Sequence, residues 1–215
     1  MNYLTLVNNV LRRMREDQVD TVSETTYSSL IGDLVNDAKT ATEHAWDWSA
    51  LRDSKTVTTV AGTNQYTLTG SGNDFKFLYF LDTTNKNNIV YQSKEWIDVQ
   101  NNTDTPLQGQ PVYFSYTTTD ANGDMKVILY PTPDATYTLS FKGVFRQALL
   151  SGNTDVIKIP WTPVMHLALA FAVRERGETG GVNAAEYFAI ADKYLSDAIS
   201  LDAEKHPEEM IYRTV

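Results

Sequence analysis

Apolar residues recur at helical spacing over residues 2–52, give way to strand-like runs over 54–160, and return to helical spacing over 162–206. In the first regime Leu4, Val7, Leu11 and Met14 repeat every three or four residues, which puts them on one face of a helix from about Tyr3 to Arg15. A second helix is predicted from near Ser23, because Tyr27, Leu30, Ile31, Leu34, Ala38, Ala41, Ala45 and Trp48 fall on one stripe. Its alanines would let another helix approach closely. In the middle regime two Thr-rich runs, Thr56 to Val60 and Gln65 to Thr69, flank Gly62 and read as a hairpin, with Tyr66 and Leu68 on one side. Phe75 to Leu81 reads as a buried strand. Val112 to Tyr116 and Met125 to Tyr130 form a second hairpin across Asp120 to Asp124, and Tyr137 to Phe145 adds a further strand. A short helix is predicted at Ser93 to Asn101, with Trp96 facing inward.

Helix returns after Pro160. Thr162 as cap and Pro163 in the first turn are start signals, Val164, Leu167, Ala168, Phe171 and Ala172 supply the stripe, and Gly177, Gly180 and Gly181 end it. The last helix opens at Asn183, with Glu186 three residues on in a capping-box-like arrangement. Tyr187, Ile190, Ala191, Tyr194, Ala198 and Leu201 make its main stripe. Phe188, Leu195 and Ile199 lie off it, so the helix is too apolar for a single buried face. Pro207 stops it, and the tail behind it carries Met210, Ile211, Tyr212 and Val215 without an assigned core.

The expected fold is therefore α+β. A four-helix bundle is made from both chain ends (1–52 and 161–206), an antiparallel β-sandwich or barrel (53–160) is inserted between them, and 207–215 is a C-terminal extension. Trp46, Trp48 and Trp161 are expected to pack near the junction of helices and sheet.

Composition narrows the function. Lys and Arg number 18 against 27 Asp and Glu, a net charge of −9, and the longest basic feature, Arg12-Arg13 with Arg15, is followed at once by Glu16 and Asp17. Tight nucleic-acid binding needs clustered cations that release counterions, so this balance argues against it. An acidic surface suits a conduit through which DNA passes without sticking, although solubility alone also accounts for it. The chain has no cysteine, which removes disulfides, a thiol nucleophile and thiolate metal sites. No signal peptide or membrane span is expected, because the most apolar run, Val164 to Val173, is short and interrupted by His166.

Chemistry-bearing constellations are sparse. His44 has Glu43 beside it and Asp47 three residues on, spacing that binds a metal only where a third ligand converges; a helix-end histidine beside aromatics is the plainer account. His166 reads as a core or interface residue and His206 as a helix-end cap. Glycine-rich phosphate loops and a nucleophile elbow are missing from the sequence. No enzyme activity, metal or cofactor is expected. The 12 Tyr, 8 Phe and 4 Trp fill a core or, in an alternative reading, form the platform of a carbohydrate-binding or tail-spike-associated module.

Four features recur together. A helix ends in Ala45-Trp46-Asp47-Trp48-Ser49-Ala50-Leu51-Arg52 and runs directly into a Thr-rich strand. A later strand ends in Leu129-Tyr130-Pro131-Thr132-Pro133. Asp155-Val156-Ile157-Lys158-Ile159-Pro160 then leads into an Ala-rich helix, Val164 to Arg176. This layout resembles the adaptor, or head-to-tail connector, proteins of tailed bacteriophages, including the tail tubular protein A type of short-tailed phages. The resemblance implies a structural protein of the virion, assembled in the host cytoplasm. It implies a ring, typically dodecameric, docked under the portal protein and presenting a platform to the tail nozzle or tail tube protein, with genomic DNA passing through the lumen unbound. No cofactor and no membrane are implied. A closed ring needs head-to-tail contacts between identical copies. The expected portal or neighbour surface is Phe188, Leu195, Ile199 and the tail residues Met210, Ile211, Tyr212 and Val215. The expected tail-facing loop is Asn122-Gly123 in the β insertion.

Overall fold

A computed structural model of the chain describes residues 1–103, 105–177 and 182–205, and of Val182, Asn183 and Ala184 only the backbone. The fold is α+β: among the described residues there are five helices, one short 3-10 turn and seven strands forming one mixed sheet. The chain separates into two compact units, a helical unit that takes in 1–50 and the described residues from 147 onward, and a β unit spanning 51–146.

The helical unit holds α1 (Tyr3–Arg13), α2 (Thr26–Ala45), α4 (Trp161–Glu175) and α5 (Val182–Ala203). Helix α1 starts at Asn2, whose side chain accepts from the Thr5 N–H, and buries Tyr3, Leu6, Val7, Val10 and Leu11. Helix α2 begins three residues later than expected, behind a reciprocal cap in which Thr25 and Ser28 satisfy each other's backbone N–H groups. Helix α4 starts at Trp161 after Pro160, without the Thr162 cap, and closes at Gly177 with φ +84°, a left-handed conformation that glycine adopts without strain. Helix α4 packs on α1, α2 and α5, and α1 also packs on α2.

The buried face of α2 departs from the apolar stripe. It carries Ile31, Val35 and Ala38, but also Ser28, Asn36, Lys39, Thr42 and Glu43, while Ala41 and Ala45 face solvent. The buried polar groups are occupied. Asn36 donates to the Leu150 carbonyl at 3.0 Å and accepts from its N–H at 2.9 Å. Lys39 donates to the Gln147 carbonyl at 2.7 Å and pairs with Glu43 at 3.3 Å. The Tyr3 and Leu4 N–H groups bond the Asp155 and Asn153 carbonyls. These bonds explain why residues 147–160, expected with the strands, cluster instead with the helices. Gly32 lets α1 approach, since a Cβ there would lie 2.5 Å from the Tyr3 hydroxyl. Of the three tryptophans expected to pack near the junction of helices and sheet, Trp48 is buried, its indole N–H donating to the Thr42 carbonyl at 2.8 Å, whereas Trp46 and Trp161 are 37% and 39% exposed.

The β unit holds β1 (Arg52–Thr58), β2 (Gln65–Thr67), β3 (Phe75–Asp82), β4 (Asn87–Tyr91), α3 (Lys94–Asn101), β5 (Tyr113–Thr119), β6 (Met125–Tyr130) and β7 (Thr138–Phe145). The strand order is β1-β7-β3-β4-β5-β6-β2, a nearly closed sheet. Two expectations are corrected. The runs about Gly62 do not pair as a hairpin: β1 pairs with β7 and β2 with β6, so the loop between them joins opposite edges of the sheet. The sheet is mixed rather than antiparallel, because β4, unforeseen in the sequence, pairs in parallel with β5 across the α3 crossover. The β5–β6 hairpin forms as expected, turning at Gly123 with φ +84°. The interior is a cluster of Val57, Leu68, Phe80, Phe114, Leu139 and Phe141 with their neighbours, in which Phe141 lies edge-on to Phe75, Phe80 and Phe114 at centroid separations of 5.5, 5.4 and 6.2 Å. On α3, Ile97 is fully buried, whereas Trp96 is half-buried with its ring edge-on to Tyr113 and Tyr130.

Candidate interaction surfaces

Among the described residues no group of three or more His, Asp or Glu side chains is placed to hold a metal ion, and no helix is long and apolar enough to cross a membrane. His44 is exposed at the end of α2. His166 stacks on Tyr194 at 4.3 Å, joining α4 to α5, and burial, then the nearby Arg13 charge, holds its pKa below the usual histidine value.

The first surface is the outer side of α5. Ala191 and Ala198 face α4, as their small size and stripe position suggest, and Asp202 completes the buried line. Asp202 accepts from the Ser49 N–H at 2.9 Å, the Ser49 hydroxyl, the Trp46 indole at 3.2 Å and Lys205 at 3.1 Å. Burial alone would raise its pKa, but the two Ser49 bonds and Lys205 bring it below the ordinary aspartate range. This anchor fixes the rotation of the helix. Phe188, Leu195 and Ile199, expected to be surplus, are half-buried, with Phe188 packed on Phe171 at 5.9 Å. The exposed apolar strip is instead Ile190, Tyr194 and Leu201, at 41%, 38% and 65% exposure, positions expected in the main stripe. Between this strip and the start of α4 runs a groove of about 510 Å³, lined by Pro160, Pro163, Tyr194, Ala198 and Leu201 with Lys205 at its end. The apolar periodicity of α5 covers both sides, and a buried aspartate, which hydrophobicity alone reads as exposed, decides between them. Met210, Ile211, Tyr212 and Val215 lie outside the described residues.

The second surface is a loop pair on the β unit. Asn122 is exposed at the tip of the β5–β6 turn and Gly123 is half-buried. Asp124, next in the turn, accepts from the Gly70 and Gly72 N–H groups, both at 2.9 Å, and these bonds pull its pKa down. The Asp120 carboxylate accepts from the Asn122 and Asp124 N–H groups. The turn and the 69–72 loop are thus one braced platform, and Asn122 stands on it.

A third feature was not foreseen: a polar cleft of about 630 Å³ between the end of α3 and the β2–β6 face, lined by Asn64, Gln65, Asp98, Asn101, Asn102 and Ile128 with Val99 at its margin. Asn64 and the Asn101-Asn102 pair are conspicuous in sequence only as turn formers.

Among curated protein sequences none matches this chain. The family described as SU10 adaptor protein matches residues 1–210, nearly the full length, and takes in both units. The chain belongs to the SU10 adaptor protein family, and so to the phage head-to-tail adaptors.

Proposed function

We propose that the protein is one subunit of a ring, dodecameric by the resemblance above, that docks beneath the portal at the capsid vertex and carries the tail nozzle or tube on its other side. The observation that carries the reading is the apolar strip Ile190, Tyr194 and Leu201, exposed among the described residues beside the α4–α5 groove. A helix that already buries one face and still exposes large apolar residues along its flank is suited to a second packing partner, and a ring of identical copies supplies one by a head-to-tail contact. The four helices α1, α2, α4 and α5 serve in this reading as a single bundle from both chain ends. Its neighbour or portal surface comprises the exposed strip, the half-buried Phe188, Leu195 and Ile199 at its border, and the tail 207–215. The net charge of −9 supports a lumen that lets DNA slide without gripping it.

The Asn122-Gly123 turn is assigned to the tail side. Its braced backbone presents a fixed polar tip, which suits docking of a preformed partner. Two variants test the division of labour against purified portal-containing heads and tails. Leu201→Asp abolishes attachment to heads, and Asn122→Lys leaves head binding intact but blocks tail joining. If Leu201→Asp particles attach and join tails normally, the helical surface is wrongly assigned.

A further inference from the structure

Both polar atoms of the Asn101 side-chain amide are buried, and neither has a hydrogen-bond partner. A buried donor and acceptor left side by side are costly unless something outside the described fold satisfies them, and a native protein rarely carries such a pair idle. Asn101 lines the polar cleft of the β unit. A carboxamide with both atoms free is the hydrogen-bonding complement of a peptide group, offering N–H to its carbonyl and C=O to its N–H.

The wall opposite α3 offers the same chemistry. Among the described residues β2 is the last strand of the sheet and pairs with β6 alone. The Leu129 N–H bonds the Asn64 carbonyl and the Leu68 N–H bonds the Met125 carbonyl, both at 2.8 Å, so residues 64, 66 and 68 face β6. In antiparallel pairing the intervening Gln65 and Thr67 then turn their backbone N–H and C=O groups outward, to the open edge. Among the described residues no aromatic ring lines the cleft, which argues against a sugar face as its occupant: a glycan site of this size would stack a pyranose on a ring, and the Trp96 ring is held edge-on by Tyr113 and Tyr130.

We propose that this cleft takes an extended peptide as an added strand, and that the peptide is the segment 206–215 of a second copy of this chain. The segment follows α5, contains Pro207 and ends in Met210-Ile211-Tyr212-Arg213-Thr214-Val215, a run rich in strand-favouring residues. Fully extended, its ten residues reach roughly 33 Å, enough to leave one subunit and enter another. Among the described residues that line the cleft the charged one is Asp98, which pairs with Lys94 at 2.6 Å, and the segment carries Arg213 together with Glu208 and Glu209, so recognition rests on the main chain and not on charge. Strand addition takes its affinity from main-chain hydrogen bonds and its selectivity from side-chain pockets, and Ile128 and Val99 give the cleft apolar points for alternate residues of the strand. The inference rests on the ring reading for the presence of a second copy, and it makes each subunit both donor and acceptor of a strand.

The test uses the full chain and a fluorescent synthetic peptide of residues 206–215. Anisotropy titration is expected to show saturable binding, weakened by about tenfold or more when the peptide carries an N-methyl group at Tyr212, which removes one N–H and leaves the protein untouched. Asn101→Leu weakens the unmodified peptide to a similar degree while its melting temperature stays equal to or above that of the parent, because an unpaired polar group has been removed. The absence of saturable binding, equal binding of the N-methylated peptide, or an Asn101-dependent response to a glycan array without one to the peptide would each overturn the proposal. Ring formation is read separately by mass photometry. Rings without peptide binding reject the strand exchange alone, and peptide binding without rings rejects the ring.

Discussion

The two units of this chain bury different chemistry. The β unit encloses Phe80, Phe114, Phe141 and aliphatic neighbours, whereas the helical unit runs a polar seam through its interior: Ser28, Asn36, Lys39, Thr42 and Glu43 on α2 and Asp202 on α5. An aromatic core is held by area and shape and tolerates no alternative only insofar as its rings interlock. A polar seam is held by specific partners, and each partner fixes one segment: Asn36 and Lys39 hold residues 147–150, and Asp202 holds Ser49 and Trp46. In the helical unit polar anchors, more than hydrophobicity, decide which apolar faces remain outside.

The largest expected loss of stability lies in the β unit. Phe141→Ala removes a fully buried ring and is expected to cost about 3–5 kcal/mol in urea unfolding. In the helical unit Lys39→Ala removes the bond to the Gln147 carbonyl and the pairing with Glu43 and is expected to cost about 3 kcal/mol, yet Lys39→Met with Glu43→Leu recovers part of that loss, because two matched apolar groups replace the buried pair. No double substitution of that kind rescues Phe141→Ala, and if one did so the contrast between the cores would fail.

A smaller effect sharpens the comparison through pH. Asp202 is depressed in the folded state, so it contributes stability above the ordinary aspartate value of about 3.9 and loses it as pH falls through the lower folded value. Asp202→Asn is expected to lower stability by about 2 kcal/mol at neutral pH, with the gap to the parent closing as the solution is acidified below about pH 4. Asp124, depressed by the Gly70 and Gly72 N–H groups, behaves in the same direction in the β unit, where the change reports only on the loop platform. A gap for Asp202→Asn that widens on acidification contradicts the anchor.

Much of this organisation was legible in the sequence. Three-or-four spacing located all the long helices, and alternation with bounding turns located β3, β7 and the β5–β6 hairpin. Strand partners were not legible, because β1 and β2 differ little from a hairpin until the remote β7 and β6 claim them. Strand β4 is five residues long and begins Asn87-Asn88, which reads as a turn. The faces of α2 and α5 were misjudged for one reason: buried Lys39, Glu43 and Asp202 count as solvent-facing in any hydrophobic pattern. Of the candidate surfaces, the Asn122 turn was visible as a turn, whereas the cleft at Asn101 depends on long-range placement of α3 over β2 and β6.

The smallest effect on stability falls on the surface that carries the proposed role. Ile190→Asp with Leu201→Asp changes exposed side chains and is expected to shift unfolding by only about 0.5 kcal/mol per site. Mass photometry of the parent and this variant, each with and without purified portal, is the most direct test. The account predicts a portal-bound particle carrying a ring of parent subunits and a variant that stays folded but leaves the portal bare. A variant that loads the portal as fully as the parent would contradict it.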